Sequence, residues 1–328
     1  MEGQAPPRDF TPGFIVFGVI EFLIALLALG AVPLMFLGAA MGGGRVPGPP
    51  LGVMAMSAAL YAGVGAFFGT VGVGSLLVRR WAWKLMLVAS WTWLAVGALS
   101  MVSWLIMLPR LGDMMAAGGQ KVPETAVVVM QVLVTAVMVV IYVLVPVVFI
   151  LFYGSRAVRL TAEWKDPQPR WTDRVPGPVL AGALLLAAGA AFMPLTGIAG
   201  VLPVFGVTLT GAPAALVGLA VGAGLGWTAW GFCRLMPAAW WTALGLLLAA
   251  MVSSILTLPG LDMAEMYRKM GYSEELVEMM LKASPLTPMG LMIVTGCSMV
   301  AYLGFVLFLR RYFAGGVGET ERPAQAGL

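Results

Sequence analysis

Glu21 carries more chemical meaning by its placement than any other residue of this chain. It is the only ionisable group well inside a long apolar run, FIVFGVIEFLIALLALG. A charged carboxylate is costly in hydrocarbon, so one found there is a functional candidate by default. It could bind a proton reversibly, pair with Lys84 at the start of the third run, or hydrogen-bond a Ser or Thr of a neighbouring helix. Little else in the chain could assist it. The sequence contains no His, no GxSxG turn and no two carboxylates together within an apolar run. The nucleophile–base and acid–base pairs of hydrolytic chemistry therefore have no candidates. Catalysis is the weakest expectation, and no catalytic residue is assigned.

Metal chemistry fares no better. Met263, Met266 and Met270 share one helical face, and thioethers suit Cu(I). Yet the chain holds 23 methionines, spread through apolar positions where Met fills gaps. With no His and no nearby Cys, neither a metal nor another cofactor is expected. Cys233 and Cys297 form no CxxC pair, which leaves a disulfide framework unsupported. Gly65-x3-Gly69, Gly218-x3-Gly222 and Gly222-x3-Gly226 put small residues one turn apart. That spacing lets helix backbones approach closely in lipid. No strand precedes these glycines and no Lys-Ser/Thr follows, so they do not cradle phosphate.

The elements that must position these residues are apolar and long. Of the 328 residues 60% are hydrophobic and 10% charged, where soluble domains carry roughly a quarter charged. Mean hydropathy is +0.95. Runs of about 20 apolar residues cross the hydrocarbon core as helices. Those that qualify centre on Phe14–Gly38, Leu51–Leu77, Trp81–Pro109, Ala126–Phe152, Pro178–Phe205, Ala212–Phe232, Ala238–Pro259 and Met289–Leu309. They are continuous and lack the two-residue alternation of a lipid-facing barrel. The expected fold class is all-α: a polytopic transmembrane helix bundle of eight spans. The first run is too long for a signal peptide and reads as a retained span.

Charge placement sets orientation. Thirteen of the 19 Lys and Arg fall in one set of alternate segments, among them Arg79, Arg80, Lys84, Arg156, Arg159 and Lys165. Only Arg45, Arg110, Lys121, Arg268, Lys269 and Lys282 fall in the other. The bias predicts both termini in the cytoplasm, and the Arg-, Ala-, Gly- and Pro-rich usage suggests a bacterial inner membrane. These cations flank membrane segments and are not interleaved with aromatics on a soluble face, so nucleic acid is not an expected partner.

An internal duplication is legible at an offset of 150, where KLMLVASWTWLAVGALSMVSWLIMLPRL from Lys84 aligns with RLMPAAWWTALGLLLAAMVSSILTLPGL from Arg234. Shared positions include Trp91-Thr92 with Trp241-Thr242, Ser103 with Ser253 and Pro109 with Pro259, all candidate repeat-core residues. Four spans per half makes a parallel repeat. The expected organisation is a tail at 1–12, a first four-helix repeat at 13–153, an interfacial linker at 154–176, a second repeat at 177–314 and a disordered tail at 315–328. Residues 261–283 read as a short amphipathic helical hairpin on the external face. Met263, Met266, Tyr267 and Met270 form one stripe, Gly271 ends the first helix and Ser273 caps the second.

Three function classes follow. A non-catalytic structural, scaffold or assembly subunit of a membrane complex is favoured by the scarcity of intramembrane polar groups and by the Gly- and Met-rich helix faces available to partner subunits. A transporter or channel for a neutral or apolar solute, proton-linked through Glu21, is the alternative. A lipid-modifying enzyme comes last.

Overall fold

The computed structural model describes residues 9–41, 49–108, 123–198, 200–283 and 288–314. Pro109, most of the first far connection and the tail at 315–328 lie outside these. Eight of the described helices are long and apolar enough to cross a membrane. In chain order the elements begin with α1 (Thr11–Met41), α2 (Leu51–Leu76) and α3 (Arg80–Met107). Next come α4 (Glu124–Val139), a π-helical turn (Val140–Leu144) and α5 (Val145–Tyr153), which together make the fourth span. Two short helices follow, α6 (Arg156–Lys165) and α7 (Trp171–Arg174). The second half comprises α8 (Gly177–Ile198), strands β1 (Val201–Val204) and β2 (Val207–Thr210), α9 (Gly211–Cys233), α10 (Pro237–Thr257), α11 (Met263–Lys269), α12 (Glu274–Ala283) and α13 (Pro288–Ala314). With an even number of spans, α1 begins and α13 ends at the same end of the bundle, called here the near end.

The π turn has a local cause. Pro146 has no N–H to give to the carbonyl four residues earlier, that of Tyr142, so the helix widens there. Gly97 of α3 lies against the same carbonyl, and a Cβ at Gly97 would stand 2.6 Å from it. Glycine also sets the closest helix pairs. On the α1–α2 crossing a Cβ at Gly18 would meet the Gly72 carbonyl at 3.1 Å. On α8–α9 a Cβ at Gly218 would meet the Met193 carbonyl at 2.6 Å.

One part of the all-α expectation is corrected. The run Pro178–Phe205 does not stay helical to its end: α8 stops at Ile198, and Val201–Thr210 forms an antiparallel β-hairpin with Val204 opposite Val207. Its two turn residues, Phe205 and Gly206, have φ of 48° and 78°, the paired positive values of a two-residue hairpin turn. Pro203 fits because the sheet has two strands only, both of them edges. The tip is pinned to α10: the Phe205 and Gly206 amides donate to Ser253 Oγ at 2.9 Å and Thr257 Oγ1 at 2.8 Å.

Packing is uneven along the bundle. Two apolar cores, around Phe14, Phe68, Met86 and Phe149 and around Leu180, Phe232, Trp240 and Leu309, both lie toward the near end. Among the described side chains beyond Ser90, α3 buries only Gly97, α4 buries none, and α13 buries none before Val306. The far parts of α3 and α4 are joined by two hydrogen bonds, Trp104 Nε1 to Thr135 Oγ1 at 2.9 Å and Gln131 Nε2 to the Leu108 carbonyl at 2.9 Å.

At the near end, the linker helices are clamped to the start of α3. Asp166, 4% exposed, accepts two bonds from the Arg170 guanidinium, at 3.1 and 2.8 Å, and one from the Arg80 amide at 3.3 Å. The Arg80 side chain reaches Asp173 at 3.0 Å and Glu163 at 3.7 Å. Acids at a helix N-terminus also complement its dipole. The Arg170 hydrogen bonds hold the Asp166 carboxyl below the ordinary aspartate range. A depressed carboxyl stabilises the fold above its unfolded pKa, about 3.9, and that contribution is lost as pH falls through the folded value. Asp166→Asn is expected to lower thermal stability in detergent at pH 7, by about 1–3 kcal/mol. The deficit relative to the unsubstituted protein should shrink below about pH 4; a deficit unchanged by acid would remove the charge from the account.

Candidate functional site

Glu21 is fully buried where α1, α2 and α5 meet. Its enclosure follows from the glycine crossing, since a Cβ at Gly72 would lie 3.3 Å from Glu21 Cβ and 3.2 Å from the Phe22 amide. The carboxyl is not paired with Lys84; its partner is Tyr153, the last residue of α5, whose hydroxyl donates to Glu21 Oε1 at 2.6 Å. Ser75 of α2 lies 3.0 Å from the same hydroxyl. With the phenol proton directed at Glu21, Ser75 is the donor to Tyr153. The second carboxyl oxygen, Oε2, is buried without a partner among the described residues.

Tyr153 does more than meet the carboxyl. Its main-chain carbonyl accepts from Trp83 Nε1 of α3 at 2.7 Å. Phe14, Phe17, Phe149 and Phe152 surround its ring with centroids 4.9–6.1 Å away. One residue therefore joins all four helices of the first half. Chemically, the Ser75–Tyr153–Glu21 chain can hold a carboxyl in place or pass a proton over two bonds. Among the described residues no group of three potential metal ligands forms. A shallow groove of about 550 Å³ runs along α1 and α2, floored by Gly65 and Gly69 and walled by Phe22, Val73 and Trp81. Its polar lining residue is Thr70, whose hydroxyl is bonded back to the Ala66 carbonyl, and Glu21 does not line it.

The candidate repeat-core residues do not gather at one site. Trp91 and Trp241 are 56% and 61% exposed, on the outer surface rather than in a core. Thr92, Ser103 and Thr242 bond back to carbonyls of their own helices, at Val88, Leu99 and Ala238. Ser253 alone reaches another element, the hairpin tip. Pro259 lies on an exposed 3-10 turn after α10, and Pro109 is outside the described residues.

The tryptophans that are buried are the ones sequence reasoning passed over. Trp83 and Trp240 each follow the same corner between helices. Val78 and Leu235 sit at φ of 52° and 54°, and the next amides, Arg79 and Met236, bond back to the Gly74 and Gly231 carbonyls at 2.8 and 2.9 Å. This is the 6→1 closure of a Schellman turn, made without glycine at the left-handed position. A Cβ on Gly74 or Gly231 would fall within 2.6 or 2.4 Å of Ala82 or Ala239 Cβ. Trp240 Nε1 then donates to the Val306 carbonyl at 2.8 Å, as Trp83 does to that of Tyr153.

These corners correspond at an offset of 157, not 150, so the pairing of Lys84 with Arg234 is corrected: Lys84 lies inside α3 and Arg234 caps α9. The far ends do keep the 150 register, since α3 and α10 are capped by Leu108 and Leu258. The difference is length, 28 residues in α3 against 21 in α10. The signal that could have found the corner is Gly-x7-Ala-Trp, at Gly74–Trp83 and Gly231–Trp240. In this register Phe232 stands where the first half has Ser75, and it is buried among rings such as Phe313 at 4.9 Å. The polar node belongs to one half.

Comparison with protein-family models, curated proteins and solved structures finds no match to this chain.

Tyr153→Phe leaves the buried Glu21 carboxyl without its donor and is expected to cost about 1–3 kcal/mol in denaturant unfolding. Glu21→Leu combined with Tyr153→Phe should recover part of that loss, because both polar partners are then gone. Strictly additive losses would show that the two groups do not act together.

Proposed function

We propose that this chain is a non-catalytic integral membrane protein that serves as a structural or assembly subunit, packing against other membrane proteins. The observation that carries the reading is the packing gradient. The far parts of α3, α4, α10 and α13 bury almost nothing within the chain. In lipid, helices gain association energy from close packing and interhelical hydrogen bonds rather than from hydrophobicity. Apolar arms that bury so little within the chain, joined to a firm near end, suit packing against partner helices. Glu21 fits the reading as a tie between helices, because it is enclosed and does not line the groove.

The finer architecture belongs to the same proposal. The two Gly-x7-Ala-Trp corners, each followed by a Trp bonded to the fourth span, support two parallel four-helix repeats. The Lys and Arg bias puts the near end in the cytoplasm. The short α11 and α12 then lie on the outer face. Their covered sides carry Met263, Met266, Tyr267 and Met270 on α11, and Leu276, Val277 and Met280 on α12. The inner membrane of a bacterium is the setting.

A second reading, a transporter for a neutral solute linked to protons, rests on one atom: the unpartnered Glu21 Oε2.

A photo-crosslinking residue placed at Val129 or Val300, 66% and 62% exposed on the two arms, is expected to give a discrete protein adduct in cells. Adducts with lipid alone, together with a monomer on purification in mild detergent, would sink the subunit reading. Glu21→Gln is expected to leave proton and solute flux in proteoliposomes unchanged; abolished flux in a stably folded variant would favour transport.

A further inference from the structure

The near end of the first half carries more positive charge than its acids consume. Glu163 is shared by Arg80 and Arg159, at 3.7 and 2.8 Å, Asp173 holds Arg80 at 3.0 Å, Asp166 holds Arg170 at 2.8 Å and Asp9 faces Lys165 at 3.9 Å. Every described acid of this face is thus engaged. Lys84 is left over. Among the described residues it makes no ion pair within 4.0 Å, while Arg80 and Arg159 share Glu163 and Arg80 also holds Asp173, so that Lys84, Arg80 and Arg159 are three cations to two acids. A partly buried ammonium with no acid of its own is an incomplete electrostatic arrangement, and an anion completes it.

The surroundings say which anion. Lys84 and Trp91 are seven residues apart on α3, two turns along one face, and Trp91 is among the most exposed aromatics of the chain. Leu87, between them, faces Gly154 at the end of α5, and the neighbouring Leu151 is 70% exposed. On the other side α6 turns an exposed stripe outward: Arg156 and Arg159, then Leu160 and Trp164. Arg159 also lies 6.0 Å over the Trp83 ring, which steadies its guanidinium beside Lys84. Cations thus stand at headgroup height with uncovered apolar surface directly above them.

We propose that Lys84 and Arg159, with Arg156 one turn before it, bind the phosphate of an anionic phospholipid of the surrounding leaflet, whose acyl chains run past Leu87, Trp91 and Leu151. The site lies outside the Glu21 node and is independent of the subunit reading. A free phosphate would satisfy the cations but leave the apolar surface above them without a role, so a lipid is the occupant.

The test uses the full chain in detergent, titrated with phosphatidylglycerol or phosphatidylcholine and read by native mass spectrometry. Phosphatidylglycerol is expected to be retained preferentially. Lys84→Gln with Arg159→Gln should weaken that retention by about fivefold per cation, roughly 25-fold together, while Lys84→Arg with Arg159→Lys preserves it. In parallel, brominated phosphatidylglycerol should quench a fluorescence component that Trp91→Phe removes, and brominated phosphatidylcholine should not. The quenching needs no charge variant, so it decides the matter even where the Gln variants fail to fold. Equal retention of the two lipids, or equal quenching by both, overturns the proposal. So does displacement of phosphatidylglycerol by millimolar inorganic phosphate with the protein left lipid-free, which would mark a soluble-anion site.

Discussion

The first half of this protein is organised around a single tyrosine. Tyr153 gives its hydroxyl to Glu21 of α1, receives Ser75 of α2, offers its carbonyl to Trp83 of α3 and ends α5 itself. In hydrocarbon no water competes for such groups, so once formed these bonds have no cheap alternative. The glycine crossing of Gly18 and Gly72 is a precondition, because it brings α1 and α2 close enough for Glu21 and Ser75 to reach one phenol. The aromatic ring around Tyr153 then fills the remaining space. Polar tie, glycine contact and aromatic packing are three parts of one constraint.

The core of the second half is built mainly from apolar and aromatic side chains. Trp240 bonds a carbonyl of the last span, and Phe232, buried, packs against Phe313. Both solutions place the firm packing at the near end. There the linker helices add ion pairs from Asp166, Asp173 and Glu163, with cations to spare. Toward the far end the described parts of α3, α4 and α13 bury little within the chain. Stability and exposure are therefore distributed along the membrane normal, and the subunit reading rests on that distribution.

Much of the architecture was legible from composition, because a span needs only length and apolarity, and these are local properties. The Glu21 position was legible for the same reason: a carboxylate in an apolar run stands out whatever surrounds it. Its partner was not. Tyr153 ends its run among polar neighbours and looks like an interfacial anchor, and only the fold turns its ring inward to Glu21. The buried tryptophans were missed because the shared Trp91-Thr92 and Trp241-Thr242 pairs dominate the alignment while facing outward. Gly-x7-Ala-Trp is a weaker string that marks the true corner. The hairpin was hidden because Val201–Thr210 is apolar enough to extend a span. Its turn, Phe205-Gly206 between Val- and Thr-rich stretches, is a signal that only the period of two reveals.

The unequal third spans carry a geometric consequence. Seven residues of helix amount to about 10 Å of length, so α3, with 28 residues, is about that much longer than α10, with 21. The β-hairpin is fastened to the last turns of the shorter helix through Ser253 and Thr257, and its two amides thereby cap hydroxyls that a bare helix end would leave to lipid.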